Sequence, residues 1–161
     1  MNIPFHRPDI TQNEIDSVIE TMQSGWLTMG PKTIKFENAF RTYINSQFAI
    51  SVNSATAALH LALNAVGVGN GDEVIIPTNT FIATAEAVVY SGAKPILCDV
   101  EENYHNIDIN LIEQLITPRT KAIIPVHFGG NPCDMDEIKK IGIHFNLKII
   151  EDAAHALPSS Y

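Results

Sequence analysis

From residue 48 onward the chain repeats one pattern, a short apolar run followed by a stretch of helical texture, at a nearly constant interval. The apolar runs lie at 48–52 (FAISV), 73–77 (EVIIP), 95–100 (PILCDV), 121–126 (KAIIPV) and 147–151 (LKIIE), and they begin 22 to 26 residues apart. The helical stretches between them fall at about 55–66, 81–91, 108–116 and 134–144. Connections of helix length let successive strands run parallel, and near-continuous apolar strands belong in a sheet covered on both faces. The alternation therefore predicts an α/β fold, with a mostly parallel sheet of five strands and helices on both faces. No residue signature recurs from unit to unit, so the interval is not that of a solenoid. The 55–66 stretch, ATAALHLALNAV, is apolar almost all round, which predicts a deeply buried helix.

The region ahead of the alternation has a different texture. Thr11 and Glu14 form a capping box, with Ile10 and Ile15 placed as its hydrophobic staple. Ile15, Val18, Ile19 and Met22 then make one helical stripe, closed by Gly25, and Phe36, Ala39, Phe40 and Tyr43 repeat the spacing. The expected organisation is an N-terminal helical arm over residues 1–46 and an α/β domain over 47–161. With 161 residues, 45% hydrophobic and 17% charged, the chain is too apolar for a disordered segment. A net charge of −8 argues against a nucleic-acid binder, which needs a basic face. Cys98 and Cys133 are expected to be reduced thiols, no signal peptide is evident, and no apolar run approaches the length of a membrane span. These features predict a cytoplasmic protein with no membrane partner.

In open α/β sheets ligands bind outside the carboxyl ends of the strands. That rule selects Asn53 to Thr56, Thr78 to Phe81, His127 to Asn131 and Asp152 to His155. Ser54 is a good N-cap, and the N–H groups of Ala55, Thr56 and Ala57 behind it suit an anion such as a phosphate; a plain helix cap is the alternative. Asp152 ends a strand, where a carboxylate can hold Mg²⁺, accept a phosphoryl group, pair with a protonated ring nitrogen or cap the next turn. Phe81 is either a core aromatic or a ring lying against a planar ligand. His155 and His127 are polar side chains near the same edge. The spacing of His127 with Asp134 and Asp136 matches no standard metal-ligand set. The phosphate-loop pattern GxxxxGK[ST] is absent.

Taken jointly, these segments resemble a known family in order and spacing: Asn53–Leu63, Gly71–Pro77, Thr80–Ala85, Gly92–Pro95, Thr120–His127 and Ile150–His155, preceded by the Gly25–Pro31 loop. The family is the DegT/DnrJ/StrS group of pyridoxal-phosphate-dependent nucleotide-sugar aminotransferases. The resemblance implies part of the large domain of the aspartate-aminotransferase-like fold (PLP fold type I). It implies that Ser54, Ala55 and Thr56 hold the phosphate of pyridoxal 5'-phosphate (PLP) and that Phe81 stacks on the ring. It further implies that Asp152 pairs with the pyridinium nitrogen, that His155 lies near the ring 3-oxygen, and that His127 stands behind them. Asp152 and His155 are thus the candidate catalytic residues, and the substrates are an amino donor, glutamate in many such enzymes, and a nucleotide-linked keto-sugar. A homodimer is the expected assembly of the whole enzyme.

The family also needs a Schiff-base lysine downstream of the Glu151–Ala154 segment, whereas the last lysine of this sequence is Lys148. The resemblance implies a seven-stranded sheet, in which two later strands hold the 48–52 run against the others. Without them that run would face a gap of roughly 14 Å, three inter-strand spacings. The expectation is therefore an N-terminal portion of an aminotransferase, inactive by itself. The alternative is a non-catalytic module that binds cofactor or a partner.

Overall fold

A computed structural model of the chain describes residues 3–4 and 7–161. These fall into two compact units, divided between Ser51 and Val52.

In the first unit, helix α1 spans Gln12–Gln23 and helix α2 spans Pro31–Tyr43. The capping box forms as expected: the Thr11 side chain accepts from Asn13 N–H, and Thr11 N–H donates to the Glu14 carboxylate at 2.6 Å. Gly25, at φ +71°, takes the left-handed conformation that turns the chain out of α1. Proline begins α2, where its missing N–H costs nothing. The two helices are tied by Lys32 Nζ, which donates to Glu20 Oε2 at 2.6 Å and to the Ser17 carbonyl at 3.1 Å.

The 48–52 run corrects the expectation of five strands. It makes no ladder among the described residues, and Phe48 and Ile50 are each 80% exposed. An apolar, β-prone segment becomes a strand only when a neighbour supplies the hydrogen bonds. Here Ser51 N–H and Oγ instead both donate to Glu37 Oε1 at 2.8 Å.

The second unit carries the alternation. Helix α3 (Ala55–Ala65) leads into strand β1 (Glu73–Pro77), helix α4 (Ile82–Tyr90), strand β2 (Lys94–Cys98), helix α5 (Ile109–Ile112), strand β3 (Thr120–Ile123), helix α6 (Met135–His144) and strand β4 (Lys148–Ile149). The helix expected over 108–116 divides into α5 and a 3-10 turn at Glu113–Leu115. The sheet has four strands in the order β2-β1-β3-β4, all parallel. Pairing persists beyond the short strands: Ile150 N–H donates to the Ile123 carbonyl at 3.1 Å, and Val126 and Asp152 form a parallel bridge.

Successive side chains of a strand point to opposite faces, and the core divides accordingly. Val74, Ile76, Ala122 and Ile124 pack with Leu59 and Leu63 of α3 and Ala87 and Val88 of α4. Ile75 and Ile123 pack with Ile112 of α5 and Ile138 and Ile141 of α6. Every residue of β1 is buried, as a central parallel strand requires. Helix α3 is less covered than its composition predicts: Leu59 and Leu63 are buried, but Leu61 is 55% exposed. Only the stripe facing α4 and the sheet finds a neighbour among the described residues.

At the amino ends of the strands, the buried Glu73 accepts from Arg119 Nε at 3.0 Å and Nη2 at 2.6 Å, and from Thr117 Oγ1 at 2.5 Å. These donors hold its carboxyl below the usual glutamate range.

Candidate active site

The strand order reverses between β1 and β3: the chain leaves β1 toward β2, then crosses back to β3. Loops leaving such neighbours diverge and open a crevice at the carboxyl edge. A cavity of about 190 Å³ opens there, lined by residues following β1, β3 and β4 and by the first turn of α3.

Of the residues singled out in the sequence, Ala55, Thr56, Phe81, His127, Asp152 and His155 all line this cavity. Ser54 stands beside it as the N-cap of α3, its Oγ accepting from Ala57 N–H at 3.1 Å. That contact corrects one expectation: the Ala57 N–H is satisfied within the cap. The Ala55 and Thr56 N–H groups have no protein partner among the described residues. They remain the donors available to an anion at the positive end of α3.

Phe81 precedes α4 as its N-cap residue and is 75% exposed while lining the cavity. The alternative of a core aromatic is thereby set aside, since its ring belongs to no packed cluster.

Asp152 is only 8% exposed. Its backbone is pinned to the strand before His127: Asp152 N–H donates to the Pro125 carbonyl at 2.9 Å, and His127 N–H donates to the Asp152 carbonyl at 3.2 Å. Its carboxylate accepts from Thr84 Oγ1 at 2.8 Å and from Ala154 N–H at 3.3 Å. No described cation pairs with it. A buried carboxylate held only by neutral donors favours a ligand that brings a positive charge or a strong N–H donor.

His127 is buried and fixed at both nitrogens. Nδ1 accepts from Cys133 N–H at 3.1 Å and Nε2 lies 3.0 Å from Glu151 Oε2. The neighbouring Cys133 and the Glu151 carboxylate pull the imidazole pKa upward, against its burial. A second proton would nonetheless have to enter between Nδ1 and an N–H already aimed at it, so the geometry holds the neutral ring protonated on Nε2. Accepting from His127 in turn holds the Glu151 carboxyl below its usual range. His155 is exposed, in the turn after Asp152. Gly130 passes close beneath that turn at φ +86°, where a Cβ would lie 2.9 Å from the His155 carbonyl oxygen.

Thr80 and Thr84 lie in segments the sequence singles out, but sequence reasoning assigned neither a role. Their hydroxyls lie 2.7 Å apart, and Thr84 is fully buried against Asp152. The available signal was their four-residue spacing across the start of a helix, Thr80 just before the N-cap and Thr84 in the first turn. No trio of His, Cys, Asp or Glu among the described residues converges to hold a metal ion.

The pattern of the DegT/DnrJ/EryC1/StrS aminotransferases matches residues 8–161. The uncharacterized protein MJ1066 of Methanocaldococcus jannaschii is 54% identical over 159 residues, covering 99% of this chain and 41% of that protein. The spore coat polysaccharide biosynthesis protein SpsC of Bacillus subtilis is 48% identical, with the same coverage of 99% and 41%. Among solved structures, the aminotransferase from Psychrobacter cryohalolentis superposes with a TM-score of 0.95 at 40% identity, covering 98% of this chain and 41% of that one. The chain thus spans about two fifths of the length of the curated relatives it matches. On the match across residues 8–161, the chain belongs to the DegT/DnrJ/EryC1/StrS aminotransferase family.

Proposed function

We propose that this chain forms the cofactor cradle of a PLP-dependent aminotransferase that transfers an amino group, with glutamate as donor, to a nucleotide-linked keto-sugar. The observation that carries the reading is one convergence. An uncapped pair of helix N–H groups, an exposed aromatic face and a buried carboxylate without a cation line a single cavity. PLP presents the complementary groups: a phosphate, a flat ring and a ring nitrogen that can carry a proton.

In this reading Ala55 and Thr56 bind the phosphate through their N–H groups, with the Thr56 hydroxyl beside them, while Ser54 holds the helix end in place. Phe81 offers its ring face to the flat ring of the cofactor. Asp152 favours the protonated ring nitrogen, since an adjacent negative charge stabilises the cationic form. His155 serves the 3-oxygen side, and the buried His127, bonded to the more exposed Glu151, keeps the strand end rigid beneath them. When bound, the cofactor supplies an electron sink for breaking the bond to the amino donor's α-hydrogen. The lysines of the sheet, Lys94, Lys121 and Lys148, stand at the amino ends of their strands, opposite the cavity. None of these three is therefore placed to bond the cofactor, and we expect the covalent lysine to come from elsewhere in the whole protein, a cytoplasmic homodimer.

The test is made on the whole protein that contains this chain. Loaded with PLP and given glutamate and a panel of nucleotide-linked keto-sugars, it should form 2-oxoglutarate and an amino-sugar together. Asp152→Asn should reduce that turnover at least a hundred-fold, consistent with the loss of a directly charged contact. A wild type that retains no PLP, or that transfers no amino group to any sugar of the panel, rules the reading out.

A further inference from the structure

Asp152 is held by a contact that the functional reading leaves unused. Thr84 lies in the first turn of α4, fully buried, with its hydroxyl 2.8 Å from Asp152 Oδ2 and 2.7 Å from Thr80 Oγ1. A hydroxyl has one proton to give. Asp152 as a carboxylate can only accept, so the Thr84 proton goes to Oδ2 and Thr84 accepts from Thr80. The relay then runs in one direction, Thr80 to Thr84 to Asp152, and a chain of this kind polarises toward its charged end. A buried position packed only for volume would be filled equally well by valine; the hydroxyl adds a directional bond to a carboxylate 68 residues away in sequence. The Asp side chain is otherwise soft in its last torsion, which has a broad two-fold profile. With Oδ2 held by Thr84 and Oδ1 reached by Ala154 N–H at 3.3 Å, its plane is set from both sides.

We propose that Thr84, backed by Thr80, is a positioning residue that fixes the Asp152 carboxylate for a cationic ring nitrogen in the cavity. The proposal rests on the reading of that cavity as a PLP site. Thr84 touches no ligand itself; it acts through Asp152.

The experiment measures retention of PLP by equilibrium dialysis in the whole protein containing this chain, comparing wild type with Thr84→Val, Thr84→Ser and Thr80→Val. Circular dichroism checks that each variant is folded. Thr84→Val keeps the volume and removes the hydroxyl, and it should weaken retention roughly ten-fold or more, as expected for a lost bond to a charged group. Thr84→Ser restores the hydroxyl and should stay within about two-fold of wild type, a rescue that a purely packing role would not produce. Thr80→Val leaves the direct bond in place and should weaken retention by roughly two- to three-fold. If Thr84→Val does not fold, the serine and Thr80 variants decide the matter. A serine variant that loses PLP as a packing mutant would, or a Thr80→Val protein equal to wild type, overturns the proposal. A wild type that retains PLP alongside a valine variant that retains it equally sinks this proposal alone. A wild type that retains none sinks the reading of the cavity and this proposal with it.

Discussion

At the scale of single residues, the two buried carboxylates of the second unit make an instructive contrast. Glu73, at the amino edge of the sheet, is matched by Arg119 and Thr117 and is a closed structural contact. Asp152, at the carboxyl edge, has only neutral donors and faces a cavity. The first should speak through stability and the second through binding. Because Glu73 is held below its ordinary value of 4.5, its contribution is present in full above that pH and is lost as the pH falls through the lowered folded value. Glu73→Gln should therefore flatten the acid side of the stability–pH curve and lower stability at neutral pH, as read by urea denaturation across pH. A variant curve parallel to that of wild type would contradict this assignment. The sequence marked Asp152 through its place after a strand, but not its bond to Thr84, because a bond across 68 residues leaves no local pattern.

At the scale of elements, helix starts were the most legible feature. The Thr11 capping box and the Ser54 cap are both satisfied by side chains within three residues of the backbone they serve. How closely helices lie on the sheet was not legible. Gly142 of α6 sits where a Cβ would meet Ile149 Cδ1 of β4 at 2.8 Å and the Leu147 carbonyl oxygen at 3.4 Å. For Gly142→Ala, the gain of up to about 1 kcal/mol in helix propensity opposes a contact that the flexible end of Ile149 can relieve, so the net change should be small. Gly142→Leu has no such escape and should cost roughly 1–3 kcal/mol by overpacking. Thermal or urea unfolding of the two variants distinguishes them, and equal destabilisation would show that α6 does not press on β4 as described.

At the scale of the whole molecule, the three lysines of the sheet stand apart from the cavity. Lys94, Lys121 and Lys148 all lie at the amino ends of strands, while the cavity lies at the carboxyl ends. On the proposed reading, borohydride treatment of this 161-residue chain in the presence of PLP should label none of these three stoichiometrically, nor any other single lysine. Mass spectrometry showing one specific lysine fully modified would overturn the view that the bonding lysine lies elsewhere.

The sequence by itself determined the local periods: which segments are helices, where their caps lie, and which apolar runs can be strands. Those depend on residues a few positions apart, so a window of the chain contains them. Tertiary structure decided which strand-prone runs become strands, because a ladder needs a neighbour; 73–77 found two, and 48–52 found none among the described residues. It also decided the order β2-β1-β3-β4, and hence the crevice at which Phe81, His127 and Asp152 meet. The family resemblance anticipated the members of that meeting. What it could not supply was how they are held, because the bonds from Thr84 to Asp152 and between His127 and Glu151 exist only once distant segments are brought together.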